Sequence, residues 1–215
     1  MLISEMQPEH IRDYINSGGV YSYQSYEPAI TPSTYLEYAR SDLRDGETPR
    51  SIINAVGNAK RALHLEVETL CSALGWEVLH KKKITGFDKR LEFIKNCGII
   101  SPRILSKLNR TRNKVEHEYF VPSLDEAQDY LDIVELFLFG TKQILDRFPY
   151  EIFFELMEDE ELNTSLNLPK SFTFKLDEKN LSNFRITSGK EIIEKKISDE
   201  DYFIWLGAIY TQYLL

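Results

Sequence analysis

Cysteine is scarce in this chain: Cys71 and Cys97 are the only two among 215 residues. Each lies among apolar residues with helical spacing, so two buried thiols in a reducing compartment are expected rather than a disulfide framework. There is no Cys-x-x-Cys and no pair of histidines at ligand spacing, so neither zinc nor another cofactor is called for. No run of about eighteen apolar residues occurs, and no membrane-spanning helix is expected. The opening MLISEMQPEHIRDY carries acids where a secretory signal has a basic cluster and an apolar run. A cytoplasmic protein without membrane association is the expectation.

Positive charge is also in deficit. Lys and Arg number 26 against 34 Asp and Glu, a net charge of -8, which argues against a surface that binds nucleic acid all over. The distribution is locally the opposite. From Lys81 to Lys114 there are eleven basic residues and two acids, a net +9 that leaves -17 for the rest. One reading is a phosphate-facing side on an acidic body; the other is two ordinary solvated helix faces that are neighbours in sequence.

Apolar periodicity comes next. Thr31 as cap and Pro32 at the first helical position open a helix to Arg44, striped by Tyr35, Leu36, Ala39 and Leu43. A longer helix runs from Thr48 to Gly75 on Ile52, Ile53, Val56, Ala59, Leu63, Val67, Leu70 and Leu74. A short one spans about Phe87 to Asn96. Ser101 and Pro102 start another, with Ile104, Leu105, Leu108 and Val115 on one face; Pro122 stops it, and Ser123 with Glu126 forms a capping box for a last long helix to Leu145. The expected fold is mainly α: a bundle of four to five helices over residues 31–149, preceded by an extension over 1–30 and followed by a small α+β appendage over 150–215. The extension reads as a short helix and a loop rich in tyrosine (Tyr21, Tyr23, Tyr26). In the appendage, EIFFELMEDEEL reads as an acidic helix, SFTFKL as a strand, the segments around Ser188-Gly189 as one or two more strands, and the stretch after Ser198 as a final apolar helix.

One helix carries candidate chemistry. On a wheel of roughly 100° per residue, Arg112 falls at the edge of the stripe formed by Leu105, Leu108, Val115 and Tyr119. Beside it lies an arc of Ser106, Asn109, Asn113 and His117, with Lys107, Arg110 and Lys114 beyond. An arginine so placed needs an anion: Glu116, another carboxylate, or a ligand phosphate. Spacing alone leaves two readings open, a structural salt bridge with His117 as a surface imidazole, or a shared phosphate site. Because a straight helix does not set Arg112 and His117 side by side, the second calls for completion by another copy of the helix.

Arg112-Asn113-Lys114-Val115-Glu116-His117-Glu118-Tyr119 resembles the Arg, four residues, His motif of HEPN domains, including the polar residue after Arg and the Tyr two after His. The following Pro break and long helix resemble that family's helix order, as does NAKRALHLEVETL before it, over about residues 48 to 148. The resemblance implies a HEPN-like bundle and a metal-independent RNA endonuclease of the toxin or phage-defence kind acting as a homodimer. His117 is then the general acid or base, Arg112 stabilises charge on the phosphate, and Asn113 orients one of them. The products carry 2',3'-cyclic phosphate ends. Glu116 is a candidate for holding Arg112 at rest, and Tyr119 for modification by a nucleotidyltransferase antitoxin or simply for packing. Lys81, Lys82, Lys83, Lys107, Arg110 and Lys114 are the candidate RNA contacts. The alternative is a non-catalytic HEPN module that binds a nucleotide, RNA or a partner protein; a third class is an interaction protein using the tail.

Overall fold

The computed structural model describes residues 3–26, 29–80, 86–99, 121–157, 168–177 and 182–215. The helical layer is built around α2. Helix α1 (Pro32–Arg44) starts at Thr31, whose hydroxyl accepts from the Thr34 amide at 3.3 Å, and α2 (Pro49–Ala73) starts the same way at Thr48, at 3.2 Å from the Ser51 amide. Each has proline where no helical amide is required, so cap and ring fix the entry together. Ala55, Ala59, Ala62, Leu63, Val67 and Leu70 of α2 are fully enclosed; Ile53, one residue off that face, is 48% exposed, not inward as its apolar character suggests. Short α3 (Trp76–His80) and α4 (Phe87–Asn96) follow, then α5 (Leu124–Asp146), whose Ser123–Glu126 capping box forms with both bonds at 3.0 and 3.2 Å.

The second layer is a five-stranded antiparallel sheet in the order β1 to β5. β1 (Tyr14–Ser22) comes from the N-terminal segment, entered through two 3-10 turns, Ile3–Glu5 and Pro8–Asp13. It pairs with β2 (Phe148–Leu156), which continues into the meander β3 (Ser171–Leu176), β4 (Asn183–Ser188) and β5 (Glu191–Lys196). Strand alternation turns Ile152, Phe154, Phe172, Phe174, Phe184 and Ile186 to one buried face. The opposite face carries a row of charge in which Lys175 meets Glu151 at 2.8 Å and Arg185 meets Glu194 at 2.6 Å. At Gly19 the strands approach so closely that a Cβ would collide with the Glu151 carbonyl oxygen, so no side chain fits there.

Helix α6 (Tyr202–Tyr213) lies between the layers and joins them. On the sheet side Tyr210 packs on Phe148 and Phe174, and Tyr202 on Phe184; on the helical side Phe203 meets Phe93, which meets Trp76. The two buried phenol groups nearest the sheet are satisfied by carbonyls, Tyr14 donating to Pro169 at 2.7 Å and Tyr210 to Pro149 at 3.3 Å. Helix α4 ends on Gly98, at φ +80, where a Cβ would collide with the Gly207 carbonyl oxygen of α6. Buried apolar residues of both layers form one cluster.

The fold is therefore mixed α+β, which corrects the expectation of a mainly α bundle of four to five helices with a small appendage. Two segments account for the difference. Tyr14–Ser22, which reads in sequence as part of a loop, is an edge strand; its two glycines and broken alternation hide it, with register shifts at Asn16/Gly18 and Val20/Tyr21. Residues 151–156, which read as helix, belong to β2, where Ile152 and Phe154 point inward and Phe153 and Glu155 outward. Glu and Leu favour helix in isolation, yet cross-strand pairing on both sides decides. Where β3, β4, β5 and the last helix are expected from period and turn residues, the structure has them. No helix among the described residues is long and apolar enough to cross a membrane.

Candidate functional site

The residues of the Arg-x4-His helix, namely Lys107, Arg110, Arg112, Asn113, Lys114, Glu116, His117 and Tyr119, lie outside the described residues, as do Lys81, Lys82 and Lys83. What is described is the scaffold on either side of them: α4 before, and the capped start of α5 after. Of the remaining histidines, His10 accepts from the Gln7 amide at 3.1 Å on the surface, and His64 lies half-buried on α2, stacked on Phe87 at 4.1 Å. Flanked by Leu63 and Leu65 in sequence, His64 reads as a core or rim residue rather than a catalytic one, and it lies half-buried.

Both cysteines are buried and reduced. Burial pushes each thiol above its ordinary range, so neither is poised as a thiolate nucleophile.

The outward side of α2 carries two contiguous cavities. One, of about 480 Å³, is lined among the described residues by Tyr35, Gly57, Lys60, Arg61, His64, Leu65 and Glu68. The other, of about 440 Å³, shares Leu65 and Glu68 and continues past Thr69 and Ser72 to Gln24 and Ser25 on one wall and Trp76, Glu77 and Arg90 on the other. Helical spacing explains the first lining: residues 57, 60, 61, 64, 65 and 68 recur at three and four and share one face. Glu68 is held by an ion pair with Arg90, and among the described residues Arg61 Nη1 donates to the uncharged Asn58 at 2.8 Å. Tyr35 is braced edge-on by Tyr38, with ring centres 6.3 Å apart. A third cavity, of about 310 Å³, sits on the β3–β5 end of the sheet; its Lys175, Arg185 and Lys195 are paired with Glu151, Glu194 and Asp201, and Lys196 also lines it.

Behind the same helix lies a buried polar cluster. Glu66 is 1% exposed; the Tyr26 hydroxyl donates to its Oε2 at 2.7 Å, and its Oε1 is 2.5 Å from the Thr141 hydroxyl on α5. Burial raises the carboxyl above its usual range, against the opposing pull of those two hydrogen bonds. The cluster fastens the segment after β1 to α2 and α5.

No protein-family model, curated protein or solved structure matches this chain. The HEPN resemblance thus rests on the residues quoted for it.

Cavity-lining Arg61 and buried Glu66 are not singled out by sequence reasoning, and Tyr35 enters it only as a stripe residue of α1. Glu66 has a signal, because it occupies a stripe position between Leu63 and Leu70 where a charged side chain is seldom placed unless partnered. The pairing of α1 with α2 that brings Tyr35 beside Arg61 has none, since it is a tertiary fact.

Proposed function

We propose that this chain is a metal-independent RNA endonuclease of the HEPN kind, a cytoplasmic enzyme of toxin or phage-defence type that works as a homodimer. The observation that carries the reading is the motif: Arg112, Asn113 and His117 in their spacing, inside a segment of net +9 within a chain of net -8. An imidazole titrates near neutrality and serves both halves of a transesterification. His117 takes the proton from the ribose 2'-hydroxyl or delivers one to the leaving 5'-oxygen. The planar donor fork of Arg112 stabilises the charge that builds on the phosphorane oxygens, and Asn113 orients the imidazole or a phosphate oxygen. A cyclic phosphate results because the attacking nucleophile is the substrate's own hydroxyl.

The remaining members have supporting parts. Glu116 pairs with Arg112 until a phosphate displaces it, and Lys81, Lys82, Lys83, Lys107, Arg110 and Lys114 neutralise the strand. Tyr119, two residues past His117, offers a hydroxyl to a nucleotidyltransferase antitoxin. Among the described residues, the support is Arg61 on α2, which meets no described carboxylate, beside the half-buried Tyr35 of α1.

Purified protein incubated with total RNA tests the reading. Cleavage is expected from the wild type and from neither His117→Ala nor Arg112→Ala, each checked for folding and oligomeric state. Salt-dependent RNA binding by a folded dimer that never cleaves would replace the enzyme by a non-catalytic module.

A further inference from the structure

We infer that the cavity between α1 and α2 is a binding track for single-stranded RNA, with Tyr35 as the stacking platform for one base and Arg61 and Lys60 as the contacts of its flanking phosphates. The inference rests on the ribonuclease reading and names how that enzyme would hold its substrate away from the bond it cuts. Three features favour RNA over a small anion or a protein partner.

The first is charge. Several of the described surface cations stand in ion pairs: Arg40 with Glu135, Arg90 with Glu68, Lys142 with Asp146, Lys175 with Glu151, Arg185 with Glu194 and Lys195 with Asp201. Among the described residues Arg61 has an amide oxygen instead, and the carboxylate in its cavity, Glu68, is taken by Arg90; the second cavity adds Glu77. A cation left uncompensated in a concave site attracts phosphate. The second is the aromatic wall. Tyr35, half-buried against the core, lines the cavity and Tyr38 supports it edge-on, so the ring is held in place beside Arg61, and an aromatic ring stacks with any base. Single strands are recognised by this combination of stacked bases and a charged groove.

The third is shape. The cavity is no closed hole, and the second one shares Leu65 and Glu68 with it; there Ser25 and Ser72 offer hydroxyls suited to ribose, while Gln24 and Thr69 donate to Ser22, Tyr150 and the Leu65 carbonyl. From Gly57 to Ser72 the helix rises roughly 22 Å at about 1.5 Å per residue. That is on the scale of the smallest single-strand sites, about four nucleotides. Gly57 leaves the floor low, since a Cβ there would meet nothing nearer than Arg61 at 3.8 Å.

The test is fluorescence anisotropy with a short 5'-fluorescein-labelled single-stranded RNA, in the His117→Ala background so that the probe survives, across a salt series. Tyr35→Leu is expected to weaken binding roughly tenfold while Tyr35→Phe retains it, because stacking needs the ring and not the hydroxyl. Arg61→Gln is expected to lower the slope of log affinity against log salt by about 0.7, the signature of one lost phosphate contact on a single strand. Affinity and slope unchanged in both Tyr35→Leu and Arg61→Gln would overturn the track, even where the wild type binds and cleaves RNA. Loss of binding in these variants, in a protein that never cleaves, would leave the track standing and remove the enzyme. Stronger binding of a labelled acidic peptide than of RNA at this cavity would also overturn it.

Discussion

Thr141 has one hydroxyl proton and three acceptors within reach, the Glu66 carboxyl at 2.5 Å, the Phe137 carbonyl at 2.9 Å and, more distant, the Leu138 carbonyl at 3.4 Å. If Glu66 is ionised, Thr141 turns to it and forsakes the carbonyl. If Glu66 holds a proton, its own O–H donates to Thr141, Thr141 donates to Phe137, Tyr26 donates to the other carboxyl oxygen, and every group is satisfied. The charged groups facing Glu66 are Lys142 and Asp146, and Tyr26 faces it as a neutral hydroxyl donor; Lys142 is engaged with Asp146 at 2.5 Å. Because the folded state raises the Glu66 value above that of the unfolded chain, its contribution to stability is complete below the ordinary glutamate range. That contribution is lost as pH rises through the raised value. Glu66→Gln mimics the protonated acid. Thermal melts over a pH series should show the variant overtaking the wild type as pH rises above about 4.5, and parallel profiles would contradict the assignment.

At the scale of elements, helices are legible in the sequence wherever cap and period agree, because both signals are local. Thr31-Pro32, Thr48-Pro49 and Ser123–Glu126 place three helix starts within a residue. Strands β3, β4 and β5 are legible for the same reason, their alternation being bounded by turn residues. β1 and β2 are not. β1 owes its existence to a partner more than a hundred residues away, and no local signal in Asn16-Ser17-Gly18-Gly19 reports that pairing. The junction of α4 with α6 is another such fact. Gly98→Ala forces a Cβ into the Gly207 backbone at a left-handed φ, and a loss of about 1–3 kcal/mol is expected from chemical denaturation. Gly46, also at positive φ but with open space around it, should cost less when replaced in the same assay. Of the candidate site, the Arg-x4-His string is readable because it is contiguous; the α2 track is not, because its parts come from two helices.

Over the whole molecule, α6 makes the helical layer and the sheet one structure. Its aromatic residues reach from Phe174 and Phe184 on the sheet to Phe93 in the helical layer, and each buried aromatic side chain contributes about 1.5–3 kcal/mol of apolar burial. The two layers should therefore unfold together: far-ultraviolet circular dichroism and tryptophan fluorescence, reporting from Trp76 in one layer and Trp205 on α6, are expected to give coincident transitions. A body of this kind is compatible with the proposed ribonuclease, in which an RNA strand is held against a short motif. Its chemistry is tested most directly by the ends it leaves on RNA in the presence of EDTA. Products with 2',3'-cyclic phosphate and 5'-hydroxyl ends, absent when His117 is replaced by alanine, are the expected result; 3'-hydroxyl and 5'-phosphate ends, or cleavage abolished by EDTA, would contradict it.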